Sequence, residues 1–129
     1  MHLYTYVTIS NIKILYKDEF IKIKKHPYYI ALKNNSKELY EDFIAESNGK
    51  QRSKPTGTWE GIQSLLTIIK KNGFDIYNGS FHLLKLNNQI YGRHGRHRLC
   101  ILLYLYGNKL KLKLKKRKNY YKIIKLIQS

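Results

Sequence analysis

A glycine-containing loop with several cationic side chains stands directly before an apolar segment of the chain. Residues 99–106 contain no polar side chain other than tyrosine, which predicts a helix that is buried on most sides. Arg96, His97 and Arg98 fall in its first turn, where the positive end of the helix dipole makes each cation unfavourable by roughly 0.3–1 kcal/mol. A bound anion offsets this repulsion, and the backbone N–H groups of a helix start are well placed to bind phosphate.

The sequence therefore predicts a phosphate- or nucleotide-binding loop. We expect Arg96 and Arg98 to neutralise phosphate charge and His97 to donate a hydrogen bond, while the glycines let the backbone approach the ligand closely. The residues of this predicted site are Gly92, Arg93, His94, Gly95, Arg96, His97 and Arg98.

A catalytic role for the loop depends on a carboxylate that the sequence does not single out. Phosphoryl transfer commonly uses Mg²⁺ held by a carboxylate, in addition to cations that neutralise the phosphates. The candidates are Glu38, Glu41, Asp42, Glu60 and Asp75. Each of them also fits an exposed surface charge, and the spacing does not select one. Whether the protein is an enzyme therefore stays open at this point.

Two further interpretations of the loop concern its histidines and arginines. His94 and His97 do not predict a metal site, because a structural zinc ion takes four ligands and the neighbours of these histidines are arginines. The arginines also allow a ligand-free arrangement, in which they form ion pairs with carboxylates from the first half of the chain.

The charge of the chain is large and unevenly distributed. Its 129 residues include 25 Lys or Arg and eight Asp or Glu, a formal net charge of +17. All eight carboxylates fall in residues 1–75, whereas residues 76–129 hold thirteen of the basic residues. Such a field attracts polyanions, and tyrosines interleaved among the cations support an alternative function as a basic, sequence-tolerant nucleic-acid-binding module. A closed pocket around Gly95 would favour a nucleotide, and an open basic stripe reaching residues 109–118 would favour a nucleic-acid strand.

The first half of the chain predicts strands followed by two helices. Residues 4–15 predict one or two short strands broken near Asn11, and residues 19–25 predict another strand. Helices are expected over residues 36–46 and 58–73, each beginning at a hydroxyl side chain that caps it.

The second half predicts a hairpin, the loop with its buried helix, and two closing elements. Residues 81–91 predict a hairpin that turns at two asparagines. Residues 109–115 alternate strictly between basic and apolar side chains, which predicts a strand at a sheet edge. Residues 120–127 fit either a helix or a strand.

These elements predict an α/β (α+β) fold, a small mixed sheet with packed helices, in one domain spanning residues 1–129. The one cysteine, Cys100, lies in the apolar segment and fits a buried side chain in a reducing compartment. We expect a cytoplasmic protein, because neither a secretory signal nor a transmembrane segment is evident.

The order of these parts resembles the ParB/sulfiredoxin-like fold. A helix ending in Lys-Asn-Gly-Phe, a hairpin, a G-x-H-R loop at residues 95–98 and an apolar helix ending in Tyr-Gly carry the resemblance. The sequence looks most like the ParB-like proteins associated with surface-polysaccharide biosynthesis. The resemblance implies that Gly95, His97 and Arg98 contact the phosphates of a nucleotide such as ATP, ADP or CTP, with or without Mg²⁺. The same resemblance extends to phosphotransferase and nucleotidase activity, and it does not decide whether this chain has either activity.

Two residues depart from that family pattern. Sulfiredoxins carry a catalytic cysteine immediately before the His-Arg pair, where this chain has Arg96, and Cys100 lies a helical turn further on. We therefore expect no peroxiredoxin repair. Close relatives usually have an aspartate before the loop glycine, where this chain has His94, which removes a candidate metal ligand or general base.

Overall fold

The computed structural model describes residues 4–46, 58–73, 82–92 and 95–128. Within these ranges it contains seven strands and four α-helices. The strands are β1 (Tyr4–Thr8), β2 (Lys13–Tyr16), β3 (Glu19–Lys22), β4 (Leu83–Leu86), β5 (Gln89–Gly92), β6 (Lys111–Lys116) and β7 (Tyr121–Ile127). The helices are α1 (Pro27–Lys33), α2 (Lys37–Glu46), α3 (Trp59–Asn72) and α4 (Arg96–Tyr106).

The seven strands form one sheet in the order β1-β6-β7-β4-β5-β2-β3. Neighbouring strands run antiparallel, except for the parallel pair β2 and β5. The predicted mixed sheet with packed helices is therefore confirmed at the level of an α/β fold.

The sheet curls because a short connection joins two strands that lie far apart in it. Four strands separate β1 from β2, which in a flat sheet would place them about 24 Å apart. Residues 9–12 connect them, and five residue steps reach only about 18 Å. The side chain of Gln89 on β5 holds this closure, since its Nε2 donates to the carbonyl of Asn11 at 2.6 Å.

The helix α4 packs on the inner face of the curled sheet. Its buried side chains are Leu99, Cys100, Ile101, Leu102 and Leu103. α1 packs against α2 and α4, and α3 packs against the same two helices. The predicted buried helix is confirmed, and it ends at Gly107, whose φ of +85° suits glycine. In the described part of the chain, no helix combines the length and the apolar character needed to cross a membrane.

The predicted helix starts and the predicted hairpin are confirmed. Ser36 accepts the Leu39 N–H at 3.1 Å before α2, and Thr58 accepts the Gly61 N–H at 3.0 Å before α3. β4 and β5 form the hairpin, and both turn residues, asparagines 87 and 88, have positive φ. Of the two alternatives for residues 120–127, the strand is observed.

Other expectations for the local structure are wrong. β6 does not lie at a sheet edge, because β1 and β7 pair with its two sides. The strand predicted over residues 19–25 ends at Lys22, since Ile23–Lys25 form a 3₁₀ turn that buries Ile23. The sequence pattern does not predict α1, although Pro27 occupies its first position and His26 Nδ1 caps it by accepting the Tyr28 N–H at 3.1 Å.

Some expectations concern residues outside the described ranges. These are the loop over residues 47–57, the start of the hairpin at Phe81, the carboxylate of Asp75, and two members of the predicted site, Arg93 and His94.

Candidate functional site

The predicted phosphate loop leads into α4 through a glycine in the left-handed conformation. Gly95 has φ +77° and ψ +23°, and as a glycine it brings no side chain that caps the helix. The first intrahelical hydrogen bond joins Leu99 N–H to the Gly95 carbonyl at 3.0 Å. The helix therefore begins with backbone N–H groups and cations, with no acidic side chain in its first turn.

The side chain of Arg96 ties α4 to β2. One of its terminal nitrogens, Nη1, donates to the Leu15 carbonyl at 3.0 Å, and the guanidinium carbon lies 5.9 Å from the centre of the Tyr28 ring. This arrangement gives Arg96 a packing role that holds the helix start against the sheet and α1. Arg96, which the sequence predicts to bind phosphate, therefore already donates a hydrogen bond within the protein.

His97 belongs to a cluster of aromatic rings between the helices. It stacks on Tyr28 with ring centres 3.9 Å apart and an angle of 29° between the ring planes. Tyr28 also contacts Tyr40 and Phe43 on α2, at 5.4 and 4.9 Å between ring centres. His97 thus helps α4 pack against α1 and α2.

Gly92 is required for the packing of Leu99. A Cβ atom at Gly92 would lie 2.8 Å from Leu99 Cδ1, and Ile14 and Leu83 close the same space at 3.4 and 3.5 Å. All three neighbours are buried in the core. The glycine at position 92 is therefore explained by the room that Leu99 needs in the core, and not by the approach of the backbone to a phosphate.

Replacing Gly92 by alanine is expected to destabilise the protein by about 1 kcal/mol. Overpacking a core costs roughly 1–3 kcal/mol, and the reduced freedom of the unfolded chain returns about 0.4–1 kcal/mol. Urea denaturation of the wild type and Gly92→Ala measures the difference. In a Leu99→Val background the same substitution should cost less, whereas an equal cost in both backgrounds would exclude the contact with Leu99 as its cause.

Arg98 is partly buried, as Arg96 and His97 are, and it forms no ion pair with a described carboxylate. In the described part of the chain, ion pairs join Lys17 to Glu46 and Lys37 to Glu60, all with exposed side chains. The ligand-free alternative, in which loop arginines pair with carboxylates, is therefore not observed for Arg96 and Arg98. Glu60, a candidate base, instead pairs with Lys37 at 3.0 Å, and this pair lowers the pKa of Glu60.

Two buried groups near the start of α4 are held in their neutral forms. His26 is fully buried, and its burial, followed by the charge of Arg96, lowers its pKa to about 3, against a smaller opposing effect of the Leu15 backbone. Burial raises the pKa of the Cys100 thiol, which fits the expected structural role of this cysteine.

A second candidate site lies on the outer face of β1, β6 and β7. Directly opposite residues of neighbouring strands share a face, and the register places Tyr4 opposite Lys115 and Tyr6 opposite Lys113. On the other side of β6, Lys113 lies opposite Lys125. We call this surface the basic face; its residues are Tyr4, Tyr6, Thr8, Lys111, Lys113, Lys115, Lys122, Lys125 and Ile127.

The basic face concentrates positive charge beside exposed aromatic rings. Its described residues include no carboxylate, and two pairs of lysines, Lys113 with Lys125 and Lys115 with Lys122, lie directly opposite each other. Like charges in this arrangement destabilise a sheet. Tyr4 and Tyr6 are 43% and 58% exposed, and Lys113 Nζ lies 4.4 Å from the centre of the Tyr4 ring. The face can therefore bind phosphates and stack against planar groups.

An open cleft continues the basic face at the turn between β6 and β7. It has a volume of about 810 Å³ and shares Lys115 and Lys122 with the face. Its other lining residues are Lys116, Arg117, Lys118 and Tyr120. The basic stripe expected over residues 109–118 is thus open to solvent and continuous with a wider surface.

Sequence reasoning identified the lysines of β6 but missed their partners. The strict alternation of residues 109–115 predicts that the lysines share one face, and burial of Leu112 and Leu114 bears this out. Tyr4 and Tyr6 join that face only through the pairing of β1 with β6, which are more than 100 residues apart in the sequence. The alternation of Tyr4, Tyr6 and Thr8 was the available signal, although it does not specify a partner strand.

Comparisons with protein-family models, with curated proteins and with solved structures find no match for this chain. The ParB/sulfiredoxin-like resemblance therefore rests on the sequence pattern alone.

Proposed function

We propose that this protein binds single-stranded nucleic acid on the basic face, with little sequence preference. The observation that carries the proposal is the alignment of Lys113 opposite Lys125, beside two exposed tyrosines, on a face whose described residues include no carboxylate. A polyanion removes the repulsion between these lysines, and counterion release makes its binding favourable.

The tyrosines favour nucleic acid over other polyanions. Bases of a single strand stack on exposed aromatic rings, and each stacked base contributes about 1–3 kcal/mol with little regard to its identity. Tyr4 and Tyr6 project from the same strand, two residues apart, so their ring-bearing positions lie about 7 Å from each other. Lysines of β6 flank both positions and supply the contacts to phosphate.

Binding of a fluorescently labelled single-stranded oligonucleotide, followed by anisotropy over a range of salt concentrations, tests the proposal. Each phosphate contact contributes about 0.7 to the slope of log affinity against log salt. With about four to six contacts on the basic face, we expect a slope near −3 to −4. Affinity that is undetectable at low salt, or that does not change with salt, would contradict the proposal.

Replacing Tyr6 by leucine is expected to weaken oligonucleotide binding about 5- to 150-fold, because a stacked base loses its ring partner. Tyr104→Leu is the matched control, since Tyr104 is also exposed, at 41%, but lies on α4 away from the basic face. Anisotropy titrations of both variants, repeated with inorganic polyphosphate as a competitor, provide the measurement. Equal losses for the two variants would show that stacking at Tyr6 plays no part.

The start of α4 supports a second candidate function, the binding of ATP, ADP or CTP that the ParB/sulfiredoxin-like resemblance implies. Three observations favour it: a left-handed glycine opens the helix, Arg98 pairs with no described carboxylate, and the carboxyl ends of the parallel strands β2 and β5 lie at this edge of the sheet. The engagement of Arg96 and His97 in packing makes it the weaker of the two functions.

Thermal unfolding with each nucleotide, with and without Mg²⁺, tests this second function. A ligand at about a hundred times its Kd stabilises the folded state by roughly 2.7 kcal/mol. The stabilisation should disappear in Arg98→Ala and persist in Arg117→Ala. Phosphate release measured in the same samples decides whether phosphotransferase or nucleotidase chemistry accompanies binding, and no stabilisation by any nucleotide would refute this function.

A further inference from the structure

A cavity of about 430 Å³ adjoins the basic face at the free edge of β1. It exists because the curl of the sheet brings the starts of β2 and β5 towards that edge. Tyr6 and Thr8 of the basic face line one side, and the opposite side includes Lys13, Lys22, Asn88 and Gln89. The cavity is therefore continuous with the proposed nucleic-acid surface and has the size of a small-ligand site.

Two lysines give the cavity a positive charge of its own. Lys13 and Lys22 lie directly opposite each other on β2 and β3, and neither forms an ion pair with a described carboxylate. The carboxylates of this hairpin, Asp18 and Glu19, lie at its other end, about 10 Å along the strands. Phosphate is the group that this pair of cations would recognise.

Side-chain amides supply the remaining polar groups of the cavity. Gln89 Nε2 donates to the backbone carbonyls of Asn11 and Ile90, at 2.6 and 2.9 Å, which fixes this wall. Asn88 carries both an amide donor and an amide acceptor, and it belongs to the turn between β4 and β5. Both N–H groups of Gln89 are used in these bonds, so Gln89 offers only its Oε1 as an acceptor, and the donor and acceptor of Asn88 together with this Oε1 suit the polar edge of a nucleobase.

We propose that the cavity seats one nucleotide of the bound strand, with its phosphate on Lys13 and Lys22 and its base towards the amides of Asn88 and Gln89. This proposal rests on the proposed binding of single-stranded nucleic acid to the basic face. It adds a position at which the strand is read by hydrogen bonds, so the protein has a moderate base preference at that position.

The phosphate contact is tested with Lys13→Thr/Lys22→Thr, in which threonine retains a side chain suited to strands. Loss of one phosphate contact should reduce the salt slope by about 0.7 and weaken oligonucleotide binding about eightfold at about 50 mM salt. Lys33→Ala/Lys70→Ala removes the same charge from exposed positions of α1 and α3 and should change affinity much less. An equal effect of the two double variants would overturn the proposal.

The base contact is tested with Asn88→Gly, which keeps the positive φ of this turn and removes only the amide. We expect it to reduce the differences in affinity among oligo(U), oligo(A) and oligo(C) that the wild type displays. If the wild type binds all three equally, or if Asn88→Gly leaves their ratios unchanged, the cavity does not read a base. If the wild type binds the strand and both cavity variants bind it with the same affinity and base preference, this inference alone is overturned. If the wild type does not bind the strand, the proposed function is overturned as well.

Discussion

Replacing Lys111, Lys113 and Lys115 by threonine is expected to weaken single-stranded oligonucleotide binding several hundredfold at about 50 mM salt. These lysines alternate along β6, about 7 Å apart, so each can contact a different phosphate. Loss of three contacts should lower the salt slope by about 2.1, and this change of slope gives the expected loss of affinity. Anisotropy titrations at several salt concentrations measure both quantities.

A control with the same loss of charge separates the basic face from the overall charge of +17. Lys24, Lys33 and Lys70 are exposed and lie outside the sheet, so their triple alanine variant should bind nearly as well as the wild type. The thermal unfolding midpoint of the β6 variant should be unchanged or slightly raised, because the substitutions remove repulsion between lysines of neighbouring strands. Equal losses of affinity in the two triple variants would show that binding depends on net charge alone.

Lowering the pH from 7 to 4.5 is expected to destabilise the protein by about 2–3 kcal/mol through His26. The unfolded chain protonates this histidine near pH 6.5, whereas in the folded protein burial and the charge of Arg96 lower its pKa to about 3. Between these values the unfolded state binds more protons, so the free energy of unfolding falls as the pH falls. Urea denaturation at a series of pH values measures the slope.

His26→Asn provides the matched control for this pH dependence. Asparagine does not titrate and is a favourable helix-capping residue, so it can replace the hydrogen bond from Tyr28 N–H at the start of α1. The variant should lose less stability below pH 6.5 than the wild type, while the exposed carboxylates contribute equally to both. Parallel slopes for the two proteins would exclude His26 as the acid-sensitive group.

Local signals in the sequence predicted much of the fold. The capping hydroxyls, the two asparagines and the apolar run of α4 each depend on residues close together in the chain, and each was confirmed. The order of the strands in the sheet could not be predicted from these local signals, because it depends on which distant segments pair. β6 has the basic outer face typical of an edge strand, yet β1 from the other end of the chain covers its free side.

The candidate site was predicted only in part for the same reason. The sequence placed Arg96, His97 and Arg98 in the first turn of a helix, where α4 has them, but it could not show that Arg96 binds the Leu15 carbonyl or that His97 stacks on Tyr28. Both partners come from elements more than 60 residues away. Gly92 likewise derives its role from a contact with Leu99 across a helix–sheet interface, which no spacing in the sequence reveals.

Chemical-shift mapping on isotope-labelled protein, titrated with an unlabelled single-stranded oligonucleotide, locates the bound strand directly. We expect saturable changes at the amides of β1, β6 and β7, centred on Tyr6 and Lys113. Changes confined to residues 95–98, or no changes at low salt, would contradict binding on the basic face.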